Sequence, residues 1–89
     1  MNPVIIEKLM AVATYFNINY THLFNRNRNK RIIIIRHNLY YYFIENQYSI
    51  IQLATFFQRH KSTILYAHKK ITKKPQQTIY KILNEILGN

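Results

Sequence analysis

The sequence predicts an all-α fold, a compact bundle of about five or six helices that contains a helix-turn-helix, and three observations carry that expectation. Apolar residues recur at helical intervals of three and four in each extended stretch. Residues that start and end helices fall between those stretches. The one run with strand character, Ile32 to Ile35, has no second run of comparable quality, and a lone strand would leave its backbone unpaired. With 89 residues, 48% of them hydrophobic, the chain can close one small core and not two, so residues 1–89 read as a single domain.

The first helix opens at Asn2 and Pro3, a capping side chain followed by a residue whose missing N–H costs nothing in the first turn. Ile5, Leu9, Val12 and Phe16 then follow at helical spacing. Asn17 and Asn19 break the helix around Ile18, and Tyr20 to Phe24 make a short helical turn that drops Leu23 and Phe24 into the core. Residues 25–31, NRNRNKR, form a basic loop, because asparagine tolerates turn geometry while the basic side chains stay solvated. A second helix continues through Ile32, Ile35, Leu39 and Phe43. On it Tyr40 and Tyr42 are expected at the core margins and Tyr41 in solvent, three directions that do not make a stacking platform.

Residues 49–72 read as the helix-turn-helix. Ser49 and Gln52 form an S-x-x-Q capping box, and Ile50, Leu53, Ala54 and Phe57 share one face of the helix that follows. Gln58, Arg59 and His60 make a turn without glycine that delivers the chain into the next helix at Lys61. In that helix Ile64, Ala67 and Ile71 face inward, while Ser62, Tyr66, Lys69 and Lys73 stack on the opposite side. Pro75 and Gly88 bracket the last helix, 75–87, with Ile79, Ile82, Leu83 and Ile86 on one face.

Charge narrows the function. Thirteen Lys and Arg against three acids give a formal net charge of +10, a self-repulsion that a polyanion would offset, and nucleic acid is the obvious candidate. All the cations except Lys8 and Lys81 lie between Arg26 and Lys74, where only Glu45 opposes them. The loop cations Arg26, Arg28, Lys30 and Arg31 suit an arm that touches phosphates or enters a minor groove. Lys61, Ser62 and Thr63 head a helix and suit the reading of base edges.

Other chemistry is poorly provided for. The chain has no Cys and no Asp, only Ser49 and Ser62 as serines, three scattered glutamates, and Gly88 as its sole glycine, so neither a nucleophile with its base nor a phosphate-cradling loop is visible. His22, His37, His60 and His68 show no pair at ligand spacing, so no metal and no cofactor are expected, and His68 is expected at the edge of the core. Without cysteine the core is held by packing alone, as suits a reducing cytoplasm. The longest apolar run, Leu39 to Ile44, is far too short to cross a bilayer and no signal peptide is seen, so the chain reads as soluble and cytoplasmic. Richness in Ile, Asn, Lys and Tyr suggests an AT-rich bacterial or phage genome.

The stretch FFQRHKSTILYAHKKI, residues 56–71, together with VATYFNI at Val12 to Ile18, Leu23 before the basic loop and Arg36 after it, resembles a known pattern. It is similar to the C-terminal DNA-binding domain of the bacterial replication initiator DnaA, in the Trp-repressor-like helix-turn-helix group, over about Val4 to Leu87. Phe56, Arg59, Ser62, Thr63, Ile64, Leu65, Ala67, Lys70 and Ile71 occupy family-like positions. The resemblance implies Arg28 in a minor groove, Arg36 and His37 near phosphates, and Lys61, Ser62 and Thr63 in the major groove. Where the family has Asp and His at the head of the recognition helix, this chain has His60 and Lys61, and Phe57 and Gln58 stand in place of a glycine pair. The initiator's nucleotide-binding motor has no counterpart: if Met1 is the natural start, the chain is expected to be a free-standing regulator of replication or transcription, and if the chain is an excised domain, the motor lies elsewhere.

Together these readings make double-stranded DNA the expected partner. The expected contacts are Arg26, Arg28, Lys30, Arg31, Arg36, His37, Arg59, His60, Lys61, Ser62, Thr63, Tyr66, Lys69, Lys70 and Lys73. The competing reading is a protein-interaction module for a replication or transcription factor or an acidic regulator. A basic membrane-binding helix is disfavoured because each apolar stripe has a facing stripe to bury it.

Overall fold

The computed structural model describes residues 3–25 and 28–88, and all of its regular structure is helical. Among the described residues five α-helices follow one another: α1 (Pro3–Tyr15), α2 (Lys30–Glu45), α3 (Ile50–Phe57), α4 (Lys61–Lys73) and α5 (Gln77–Leu87), with a 3-10 turn at Tyr20–Leu23. The expected cap Asn2 and the expected contact Arg26 lie outside the described residues.

Helix α2 is the axis of the molecule. It packs most extensively along α4 and also meets α3, α5 and the 3-10 turn, while α1 packs on α5 and the 3-10 turn. The β-branched run that opens α2 is therefore helical: Ile32, Ile35, Leu39 and Phe43 are buried against neighbours on several sides, and tertiary packing overrides the weak local preference for strand. The same encirclement corrects the expectation for the tyrosines. Tyr40 (2% exposed) and Tyr42 (4%) are core residues, not marginal ones, with the Tyr40 ring edge-on to Phe57 at 5.2 Å. Tyr41 is half-buried rather than solvated, because its ring stacks on His68 of α4 at 5.3 Å.

Three helices stop in the same way, and none uses glycine. Asn17, Gln47 and Gln58 each adopt a left-handed backbone (φ 54°, 78° and 54°). In each case the following N–H reaches back five residues: Ile18 to the Ala13 carbonyl (3.0 Å), Tyr48 to Phe43 (3.0 Å) and Arg59 to Ala54 (2.9 Å). These are Schellman closures, which satisfy helix-end carbonyls at the cost of about 1–2 kcal/mol for placing a side chain in that conformation. The chain turns sharply after α1, α2 and α3 as a result.

Helix starts are set by side chains. Asn19 Oδ1 accepts from the Thr21 N–H at 3.0 Å, and Asn29 Oδ1 accepts from the Arg31 N–H at 2.9 Å and more weakly from Ile32 at 3.4 Å. Ser49 and Gln52 close the reciprocal capping box at 3.0 and 2.9 Å, as the sequence predicts. Because Asn29 is a cap, the basic loop is shorter than 25–31: Lys30 and Arg31 belong to the first turn of α2. The last helix likewise begins at Gln77, two residues after Pro75, and Gln76 offers no side-chain cap.

Candidate nucleic-acid interface

Helix α4 has two faces of opposite character. Ile64, Ala67 and Ile71 are buried against α2 and α3, while Lys61, Ser62, Thr63, Tyr66, Lys69, Lys70 and Lys73 are exposed. No acid occurs between Lys61 and Lys73, so the outer face carries uncompensated positive charge. Lys70 and Lys73 in the last turn also complement the helix dipole. Tyr66, 61% exposed, carries the Lys70 ammonium 5.9 Å above its ring and faces the edge of the His37 ring at 6.1 Å. That contact links the outer stripe of α4 to α2.

His60 caps α4, and its geometry fixes the chemistry of Ser62. The Ser62 N–H donates to His60 Nδ1 at 3.1 Å, so that nitrogen carries no proton. The 2.8 Å approach of Ser62 Oγ to the same nitrogen is then a hydroxyl donating to it. In that arrangement the Ser62 hydroxyl turns its lone pairs outward.

Between α4, the α3–α4 turn and the basic loop lies an open cleft of about 340 Å³. Arg28, Arg36, His37, Arg59, His60 and Thr63 of the sequence-expected contacts line it, joined by Ile33, Tyr40 and Gln58. The three additional residues had little sequence signal. Ile33 and Tyr40 face the cleft only because of how α2 is oriented, whereas Gln58 stands where the resembling family carries glycine and takes a left-handed conformation. The basic outer stripe, Tyr66, Lys69, Lys70 and Lys73, frames a second shallow hollow.

The cations of this region are not equivalent. Arg36 donates from Nη1 to the Asn25 carbonyl, and Arg59 donates from Nη2 to the Phe24 carbonyl at 2.8 Å and to the Asn25 carbonyl. Both side chains are half-buried, so they brace the loop as well as charge it. Burial pulls the Arg36 guanidinium below its ordinary value, and the neighbouring Arg59 charge pulls the same way against Tyr40. Burial likewise lowers His37, helped by the positive charges of Lys70 and Arg36.

Arg31 departs from the cluster. Its guanidinium donates to the Phe16 carbonyl, and its stem lines an apolar hollow with Ile34, Ile35, Gln76 and Ile79. Lys30 is exposed in the first turn of α2 and lines none of these hollows. Among the described residues no three His, Asp or Glu side chains gather to hold a metal ion, and no helix is long and apolar enough to cross a membrane.

The family model for the bacterial DnaA protein helix-turn-helix matches residues 6–71, from α1 to the last buried position of α4, so the match stops short of Leu87 and leaves α5 outside. No curated protein and no solved structure matches the chain. The matched stretch contains the 3-10 turn, the basic loop and α3 in full, and α4 as far as Ile71. The chain belongs to the bacterial DnaA protein helix-turn-helix family.

Proposed function

We propose that this protein is a sequence-preferring reader of double-stranded DNA, with residues 3–88 acting as one unit. The head of α4 enters the major groove, Arg28 reaches the adjacent minor groove, and Lys69, Lys70 and Lys73 lie along phosphates. One observation carries this reading: α4 is anchored by a sealed apolar stripe, so its acid-free outer face is held rigidly at the surface beside a cleft lined by three arginines. Affinity then comes mainly from phosphates and specificity from a few side chains.

The polarity of those side chains gives the base preference. Ser62, as an acceptor only, pairs with the amino group of cytosine or adenine, taking over in part from the acid that the resembling family carries at the position of His60. Lys61 donates to guanine O6 and N7 or to a phosphate. The biological role that follows is occupancy of sites on the chromosome in the cytoplasm, in control of replication or transcription.

Duplex binding measured across salt concentrations tests the reading. With roughly five phosphates neutralised, log affinity should fall against log salt with a slope of about −4 to −5. A salt-independent affinity, or no retention of random-sequence duplex at low salt, would contradict it and turn attention to a protein partner.

A further inference from the structure

We infer that Arg59 is a positioning residue that locks the basic arm to the helix-turn-helix, so that the two DNA-reading elements are presented in one fixed register. The inference rests on the reading just proposed and concerns how its two parts are joined. Arg59 stands in the α3–α4 turn, and its own backbone is held by the N–H bond to the Ala54 carbonyl at 2.9 Å. Its side chain crosses to a segment more than thirty residues earlier in the chain, where Nη2 donates to the carbonyls of Phe24 and Asn25.

Those two carbonyls end the 3-10 turn, and Arg28 follows three residues later. The Asn25 carbonyl also receives Arg36 from α2, so guanidinium groups from two different elements converge on one oxygen. Tyr40, buried in the core, lines the same cleft as Arg59. A guanidinium suits this role because its planar fork can serve several acceptors at once, and a lysine side chain is one bond shorter with a point charge. Held this way, Arg28 starts from a defined place relative to Ser62 and Thr63. Without the brace the arm would have to be ordered at the moment of binding, at an entropic cost that weakens affinity.

A direct phosphate contact by Arg59 would also weaken DNA binding when removed, so the test separates the two roles. A double-mutant cycle of Arg59→Met and Arg28→Ala is measured against a duplex selected from a random library. Acting through the arm, Arg59→Met lowers affinity about tenfold in the wild-type background and has little further effect once Arg28 is gone. It also leaves the salt slope unchanged in that background. Multiplicative losses, with the slope reduced by about 1 more, would show an independent phosphate contact and overturn the inference.

Hydrogen exchange on the free protein gives a reading that needs no DNA. The Phe24 and Asn25 amides, both bonded to the Thr21 carbonyl at 3.0 Å, should exchange at least about tenfold faster in Arg59→Met while α5 amides stay unchanged. Unaltered exchange at Phe24 and Asn25 would overturn the inference even if DNA binding fell. Absence of duplex binding by the wild-type protein would instead overturn the proposed function and leave the brace to be judged by exchange alone. Should Arg59→Met fail to fold, Arg59→Lys replaces it. A lysine that restores wild-type affinity and exchange would contradict the brace, and one that behaves as the methionine was expected to would support it.

Discussion

Helices α4 and α5 both pack on α2, and their inner faces are built alike, yet their outer faces differ in charge. α4 buries Ile64, Ala67 and Ile71, and α5 buries Leu83 and Leu87 with Ile79, Ile82 and Ile86 half-buried beside them. Outward, α4 shows Lys61, Lys69, Lys70 and Lys73 with no acid, whereas α5 shows Lys81 balanced by Glu85. Apolar periodicity thus identifies a helix that packs, and unbalanced charge on its other side marks the helix proposed to bind. The family match ends within α4, at Ile71, and does not reach α5.

The comparison is broken most severely through the inner faces. Ile64→Ala and Leu83→Ala should each destabilise the protein by about 2–5 kcal/mol, because both sites are fully buried and close-packed. Thermal or denaturant unfolding checks this, and similar losses at the two sites would show that the inner faces are equivalent. A loss confined to one helix would show that the other is an accessory to the fold.

The outer faces should then differ where the inner ones agree. Ser62→Ala should leave stability nearly unchanged and relax the choice of base at one position by about 1–3 kcal/mol, read as a change in the sequences selected from random duplexes. Lys73→Ala should weaken binding to all sequences and reduce the salt slope by about 1, while Lys81→Ala on α5 leaves both untouched. Equal effects from Lys73 and Lys81 would erase the distinction between the helices.

The smallest expected effect is a pH dependence. His37 is held below its ordinary value when folded, so the unfolded chain binds its proton more readily. Its contribution to stability is present above the unfolded value near 6.5 and declines as pH falls from there towards the lowered folded value. The melting temperature should fall by a few degrees at most on going from about pH 7.5 to 5.5, and less in His37→Gln. An identical pH profile for the two proteins would show that the burial of His37 has no such consequence.

Much of this architecture is legible in the sequence, and the exceptions share a cause. The α3–α4 pair is readable because a capping box and an uninterrupted i, i+3, i+4 pattern are local signals, and they place Ser49, Leu53, Phe57, Ile64 and Ile71 correctly. The start of α2 is hidden because its cap, Asn29, sits in a run that alternates asparagine with cations, where no single asparagine stands out. Burial of Tyr40 and Tyr42 depends on α2 being surrounded, and so does that of Asn38, a polar residue 1% exposed whose side chain donates to the Ile34 carbonyl at 2.8 Å. Within the site, exposure of the α4 stripe follows from periodicity. The bracing roles of Arg36 and Arg59, the diversion of Arg31 towards Phe16, and the acceptor-only character of Ser62 come from tertiary contacts or rotamers that no spacing encodes.

The most direct measurement is to map backbone amide shifts while titrating the protein with a duplex selected from a random library. The largest changes should fall on Lys61, Ser62 and Thr63, on Tyr66 and Lys69 along the same face, and on Arg28, with α5 silent. Perturbations centred on α5 or on the outer side of α1, with the head of α4 unmoved, would contradict the assignment of α4 as the reading helix.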